Sequence, residues 1–195
     1  MDREINYIKQ SLCDSIVVKQ AILANESLLA TIQKVANVSA DALRRGNRIL
    51  LAGNGGSAAD AQHIAAEFVS RFMYDRPGLP SMALTTDTSM LTAIANDYGY
   101  EQLFVRQLEA NARKGDVFIG ITTSGNSPNV LRAFEICRGL GIISVGLAGN
   151  GGKIQSMCDY LIPVPSDSTP RIQEAHITIG HIICGLVEVA LFPQQ

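Results

Sequence analysis

His63 and Glu67 stand four residues apart in a helical stretch, a spacing that turns both side chains to one side and suits either a shared metal ion or an acid–base pair. A plainer reading is open too. Asp60, His63, Glu67 and Arg71 make a polar stripe at i, i+3, i+7 and i+11, in which Glu67 and Arg71 could be a solvated ion pair. A second helical stretch far along the chain carries Gln173, Glu174, His176 and His181. His181 shares an apolar stripe with Ile177, Cys184 and Val187 or Glu188, a setting that suits a core histidine as well as a ligand. Gln173 and His181 are two turns apart, about 12 Å along the axis, so one ion could take both only by sitting between them. Brought opposite His63 and Glu67, they would complete a mixed N/O set acceptable to zinc or another divalent ion.

Two loops offer places for an anion. Gly53-Asn54-Gly55-Gly56-Ser57-Ala58 follows an apolar run and opens a helix, so backbone N–H groups and the positive helix end converge there. The loop matches G-x-G-x-x-A, yet Asp87 lies 29 residues beyond Ala58, too far for a dinucleotide fingerprint, and no G-K-[ST] follows. The alternative is a tight strand-to-helix turn. Thr122-Thr123-Ser124-Gly125-Asn126-Ser127-Pro128 carries four hydroxyls in six residues before a helix-starting proline, and hydroxyls with free N–H groups can bind a phosphate monoester without Lys or Arg. A capping role for Ser127 would explain one hydroxyl but not the other three. Gly149-Asn150-Gly151-Gly152-Lys153 resembles the first loop in composition but reads as a turn.

The elements that must position these groups follow from periodicity. Ile5, Ile8, Leu12 and Ile16, then Leu28, Leu29, Ile32 and Val35, predict two amphipathic helices over about 4–45. Five short apolar runs follow: Ile49–Ala52, Met82–Leu84, Val117–Ile121, Ile142–Leu147 and Tyr160–Ile162. Their alternation with helical stretches predicts a parallel sheet with helices on both faces. A last helix is expected from near Arg171 to Leu191, with Thr169 as N-cap and Pro170 first. No linker divides the chain, so the expectation is one domain over 1–195, with a helical extension over 1–45 and an α/β core over 46–195. Tyr74–Pro80 is a connection within it. Both anion-friendly loops then fall at carboxyl ends of strands, where open α/β folds bind ligands, and a small phosphorylated metabolite is the expected ligand.

Composition narrows the classes. The 195 residues carry 16 Lys+Arg against 18 Asp+Glu, 47% hydrophobic residues and four Cys, which excludes disorder, collagen and a disulfide scaffold. Mean hydropathy of +0.15 is high for a soluble monomer and predicts an oligomer. A net charge of −2 without a basic block gives no reason to expect direct nucleic-acid binding. Cys13, Cys137, Cys158 and Cys184 are scattered, with no zinc-knuckle or dithiol spacing, and read as reduced thiols of a cytoplasmic protein. The start lacks a signal-peptide pattern, and the apolar stretch Ile177–Phe192 is short for a bilayer and holds His181 and Glu188, so no membrane role is expected.

The run Gly53 to His63 continuing through Glu67, together with Ala95-Asn96-Asp97-Tyr98-Gly99, Thr123-Ser124-Gly125-Asn126-Ser127 and Arg171-Ile172-Gln173-Glu174-Ala175-His176, resembles the phosphoheptose isomerases, which have a sugar-isomerase (SIS) fold. The resemblance covers nearly the whole chain. It implies a three-layer α/β/α sandwich with a five-stranded parallel sheet, and a homotetramer with packed N-terminal helices and active sites between subunits. It implies conversion of sedoheptulose 7-phosphate to glycero-manno-heptose 7-phosphate for bacterial heptose and lipopolysaccharide synthesis, and zinc, one per subunit. By matched position, His63, Glu67, Gln173 and His181 resemble the family's metal ligands, and Glu67 with His181 its acid–base pair. Asn54, Gly55, Gly56 and Ser57 correspond to the first substrate loop, Asn96 and Asp97 to sugar-contacting positions, and Thr122, Thr123, Ser124 and Ser127 to the phosphate loop. Gln173 and Glu67 also belong to the substrate set. Two departures stand out: Thr122 replaces a serine of some members, keeping the hydroxyl, and Thr169-Pro170 stands where other members carry an acid. A carboxylate held on zinc is a weaker base than a free one, so whether Glu67 is base, ligand or both in turn stays open.

A rival from another class is a non-catalytic SIS relative that binds the bacterial replication initiator DnaA. Thr92–Asp97 and the ending Leu191-Phe192-Pro193-Gln194-Gln195 resemble that group. Such binders lack the catalytic carboxylate and final histidine, whereas Glu67 and His181 are both present here. A sugar-phosphate sensor using the fold only for binding is a third possibility and would need neither Glu67 nor a metal.

Overall fold

Apolar residues at helical spacing build the first two elements, α1 (Asp2–Leu23) and α2 (Glu26–Arg44). Asn25 ends one and starts the other: its side chain accepts the Leu28 N–H at 3.0 Å, and the axes turn by 79° there. The two helices differ in what they cover. Helix α2 buries Leu28, Ile32, Val35, Ala36 and Leu43, whereas in α1 Val18 alone among the described residues is buried and Ile5, Ile8, Leu12 and Ile16 face outward. The structure, a computed structural model, describes residues 2–194.

Short runs of apolar residues then form five strands: β1 (Ile49–Gly53), β2 (Ser81–Ala83), β3 (Val117–Thr122), β4 (Ile143–Ala148) and β5 (Tyr160–Pro163). All pair in parallel, in the order β2-β1-β3-β4-β5. Side chains alternate between the faces, so neighbours such as Leu50 and Leu51 enter different cores. One core packs β1, β3 and β4 against α2, α3 (Gly56–Val69) and α7 (Thr169–Leu191). The other packs Leu50 and Phe118 against α5 (Leu103–Asn111) and α6 (Pro128–Leu140). The result is the three-layer α/β/α sandwich that the resemblance implied. Helix α4 (Thr88–Tyr98) has no fully buried residue and packs on the edge of the second core through the partly buried Leu91, Ile94 and Ala95.

Strand order reverses direction between β1 and β3, and the register pairs Gly53 with Ile121. The loops leaving these two strands therefore emerge side by side at the carboxyl edge, where a ligand crevice forms. One boundary differs from the sequence reading. Ser168, rather than Thr169, occupies the N-cap of α7, and Thr169 is already helical with Pro170 in the first turn. The helix otherwise runs as expected, to Leu191, and by length and composition its 23 residues could cross a bilayer. Here its buried face, with Ile172, Ala175, Ile179, Ile183 and Val187, belongs to the core.

Candidate active site

Helices α3 and α7 pack against each other, and their facing side chains converge. His63 Nε2 lies 3.1 Å from Glu67 Oε1, as helical spacing brings i and i+4 together, and 3.4 Å from His181 Nε2 across the helix pair. The two imidazoles meet edge to face, with centroids 4.9 Å apart, and Phe72 covers His181 at 5.4 Å. One ligand atom from each of His63, Glu67 and His181 falls within 4.8 Å of the others. Tetrahedral ligands about 2.0–2.1 Å from an ion are about 3.3 Å apart, so the observed 3.1 and 3.4 Å separations fit one divalent cation with two nitrogens and an oxygen. The cluster is a candidate metal site.

The ion pair of Glu67 with Arg71 that spacing allowed does not form among the described residues; Glu67 turns to His63 and Arg71 is exposed. Asp60, one turn earlier on the same stripe, was not singled out for a role. One of its carboxylate oxygens is buried without a partner, and burial pushes its pKa up to about 6 against the opposing pull of His63.

Gln173 is placed differently from the three clustered residues. Its side-chain amide lies against the backbone of Gly56, where any Cβ would strike it. This close approach, and the positive φ of 56° at Gly55, account for the paired glycines. Ser57 is buried. The amides of Ser57 and Ala58 fold back onto the carbonyls of Asn54 and Gly55 at 3.0 and 3.1 Å, so this loop is partly the tight turn that its glycines allowed.

Asn54 ties the first loop to the third strand's helix. It exchanges two amide hydrogen bonds with Asn129 of α6, at 2.8 and 2.9 Å, and its Oδ1 also accepts the Tyr100 hydroxyl at 2.8 Å. Neither Asn129 nor Tyr100 was anticipated. Asn129 directly follows the proline that opens α6, and a polar amide beside a helix-starting proline was the available signal.

In the second loop Ser127 occupies the N-cap position, but its hydroxyl does not cap the helix. It pairs with Thr122 Oγ1 at 2.8 Å, while Ser124 Oγ accepts the Asn126 N–H at 3.1 Å. The hydroxyls of Thr122, Ser124 and Ser127 thus gather near the start of α6, where Asn129 Oδ1 accepts the Val130 N–H at 3.0 Å, a candidate anion site. The third glycine cluster braces it from behind: Gly149 N–H donates to Thr123 O at 3.1 Å, and Gly125 packs so closely on Gly151 and Gly152 that no side chain fits. Thr123 and Ser124 open into a cavity of about 240 Å³ that also reaches Asn150, Asp167 and Thr169. Asn96 and Asp97 stand apart, exposed on α4 and hydrogen-bonded to each other at 2.8 Å; among the described residues, no hydrogen bond joins them to the histidines.

Known proteins share this arrangement of chain. A SIS-domain family model matches residues 17–149. Phosphoheptose isomerase of Aneurinibacillus thermoaerophilus is 66% identical over 188 residues, covering 96% of this chain and 95% of that protein. Phosphoheptose isomerase of Burkholderia pseudomallei is 58% identical over 195 residues, covering 100% and 99%. Among solved structures, phosphoheptose isomerase from Neisseria gonorrhoeae superposes with a TM-score of 0.88 at 41% identity, covering 94% of this chain and 97% of that one. With the fold, the facing helices and this likeness together, the chain belongs to the SIS-domain family and, within it, to the phosphoheptose isomerases.

Proposed function

We propose that this chain interconverts sedoheptulose 7-phosphate and glycero-manno-heptose 7-phosphate, with Glu67 and His181 as its proton-transfer groups. The observation that carries the reading is the convergence of Glu67, His63 and His181 from the facing helices α3 and α7. A ketose-to-aldose shift removes a proton from C1, forms an enediolate, and returns a proton to C2. Glu67 takes and returns the carbon-bound proton, and His181 moves protons between the two oxygens and assists ring opening. Thr122, Thr123, Ser124 and Ser127 hold the phosphate, while Asn54, Gly55, Gly56, Ser57, Asn96, Asp97 and Gln173 contact the sugar chain. A zinc ion, one per subunit and held by His63, Glu67 and His181 with Gln173 as the family's fourth donor, would polarise the carbonyl oxygen.

In this reading the protein is a cytoplasmic homotetramer whose sites lie between subunits, and its product feeds heptose and lipopolysaccharide synthesis. The outward apolar stripe of α1, with the exposed Met90 and Tyr98 of α4, supports an assembly that covers them. A non-catalytic binder of the replication initiator is not favoured, because it needs neither Glu67 nor His181.

Incubation with sedoheptulose 7-phosphate in deuterated water should yield an aldose product, with deuterium at C2 to the extent that the base exchanges with solvent. No aldose from the metal-replete protein would remove the reading. Glu67→Gln should lower turnover by about 10²- to 10⁴-fold while calorimetry still registers sugar-phosphate binding. Turnover at the wild-type rate in that variant would remove Glu67 as the base.

A further inference from the structure

Behind the site lies a buried ion pair that the reaction does not use directly. Arg76 and Glu188 have side chains only 3% and 1% exposed, and their Nε–Oε1 distance is 3.1 Å. Burying two charges is expensive, and an apolar pair of similar volume commonly stabilises a fold as well or better. Stability alone is therefore a weak reason for this pair, and its remaining hydrogen bonds show what else it holds.

Helix α3 ends at Val69, which leaves its last carbonyls without helical partners. The Arg76 guanidinium fills that gap: Nη2 donates to Glu67 O at 2.7 Å, and Nη1 to Phe68 O at 2.6 Å and Ser70 O at 3.3 Å. One recipient is thus the backbone of Glu67 itself. Glu188 faces the other way. Its two oxygens accept the N–H groups of Phe72 and Met73 at 3.0 and 2.8 Å, and the Phe72 ring lies on His181. Burial pushes the Glu188 carboxyl up, but the Met73 and Phe72 amides and the Arg76 guanidinium outweigh it and hold it below the usual carboxylate range. Glu188 also follows His181 by seven residues, two turns along the same side of α7.

We propose that Arg76 and Glu188 are positioning residues that fix the Glu67 carboxylate relative to the His181 imidazole, by locking the end of α3 to α7 and seating Phe72 on His181. This rests on the reading of Glu67 and His181 as the proton-transfer pair. A purely structural role would affect the amount of folded protein; a positioning role slows the proton steps in protein that is fully folded.

Two variants separate these roles. Arg76→Lys keeps a positive charge beside Glu188 but loses the planar fork that reaches three helix-end carbonyls. The double change Arg76→Met with Glu188→Met removes both charges and leaves an apolar pair. Circular dichroism at the assay temperature gives the folded fraction, and kcat is expressed per folded molecule at equal metal content. Both variants should show kcat reduced roughly ten- to a hundredfold with KM for sedoheptulose 7-phosphate nearly unchanged, because a displacement near 1 Å at the reacting groups slows chemistry more than binding. Activity that tracks the folded fraction at each temperature, in either variant, overturns the proposal. Glu67→Gln runs alongside: wild-type turnover there defeats the catalytic reading itself, whereas an inactive Glu67→Gln beside a fully active double variant defeats only the brace.

Discussion

His176 and His181 sit five residues apart on one helix and have opposite surroundings. His176 is fully buried, with Nε2 3.1 Å from the Ala148 carbonyl and Nδ1 without a partner. His181 is partly exposed and meets His63 across the helix pair. Five residues on an α-helix turn a side chain by about 140°, enough to move it from the sheet-facing core to the groove shared with α3. Residue type and helix are the same, so helical phase alone decides which imidazole can reach a ligand and which one only packs. The two should be separable by matched substitution. His181→Gln should lower turnover by about 10²- to 10⁴-fold and reduce bound metal below one per subunit, with the thermal midpoint little changed. His176→Gln should do the reverse, with turnover and bound metal near wild type because nothing at the reacting end is touched, and a lowered thermal midpoint because the amide can still reach the Ala148 carbonyl but leaves part of the buried ring volume unfilled. Equal losses of activity in both would erase the distinction.

Much of this contrast was legible in outline and not in detail. The alternation of short apolar runs with helical stretches gave the five-stranded parallel sheet, because strand burial on both faces leaves a pattern along the chain. The pairing of His63 with Glu67 was legible for the same reason, being local to one helix. The approach of His181 was legible only through the family resemblance, since periodicity says which face of a helix is apolar but not which other helix covers it. The apolar stripe around His181 suited a core histidine, and the core histidine turned out to be His176, whose neighbours in sequence include the polar Gln173 and Glu174. The bond of Asn54 to Asn129 spans 75 residues and the pair of Arg76 with Glu188 spans 112, so no window of sequence contains either. Nor does sequence reveal that Ser127 takes an N-cap position while giving its hydroxyl to Thr122; type and place both suggested a cap, and geometry decided otherwise.

The smaller consequence of the comparison is a pH dependence of stability that belongs to His176. Burial lowers its pKa to about 4, against a smaller upward pull from its bond to Ala148. The bond needs a proton on Nε2, so an added proton would go to Nδ1, where no group receives it. An unfolded histidine has its ordinary pKa near 6.5, so between about pH 6.5 and 4 the unfolded chain binds more protons than the native one. The stability held by the neutral imidazole is complete above that window, falls as pH drops through it, and amounts to roughly 3 kcal/mol over its whole width. Asp60 works in the opposite direction, because a carboxyl raised to about 6 makes the native state the better proton binder between its ordinary value and 6. Wild type and His176→Gln share Asp60 and the metal cluster, so their difference isolates the histidine. In urea titrations at fixed protein concentration the wild type should therefore gain on the variant as pH rises from 4.5 to about 6.5 and the difference should then stay constant, whereas curves parallel throughout would place a second proton acceptor beside Nδ1.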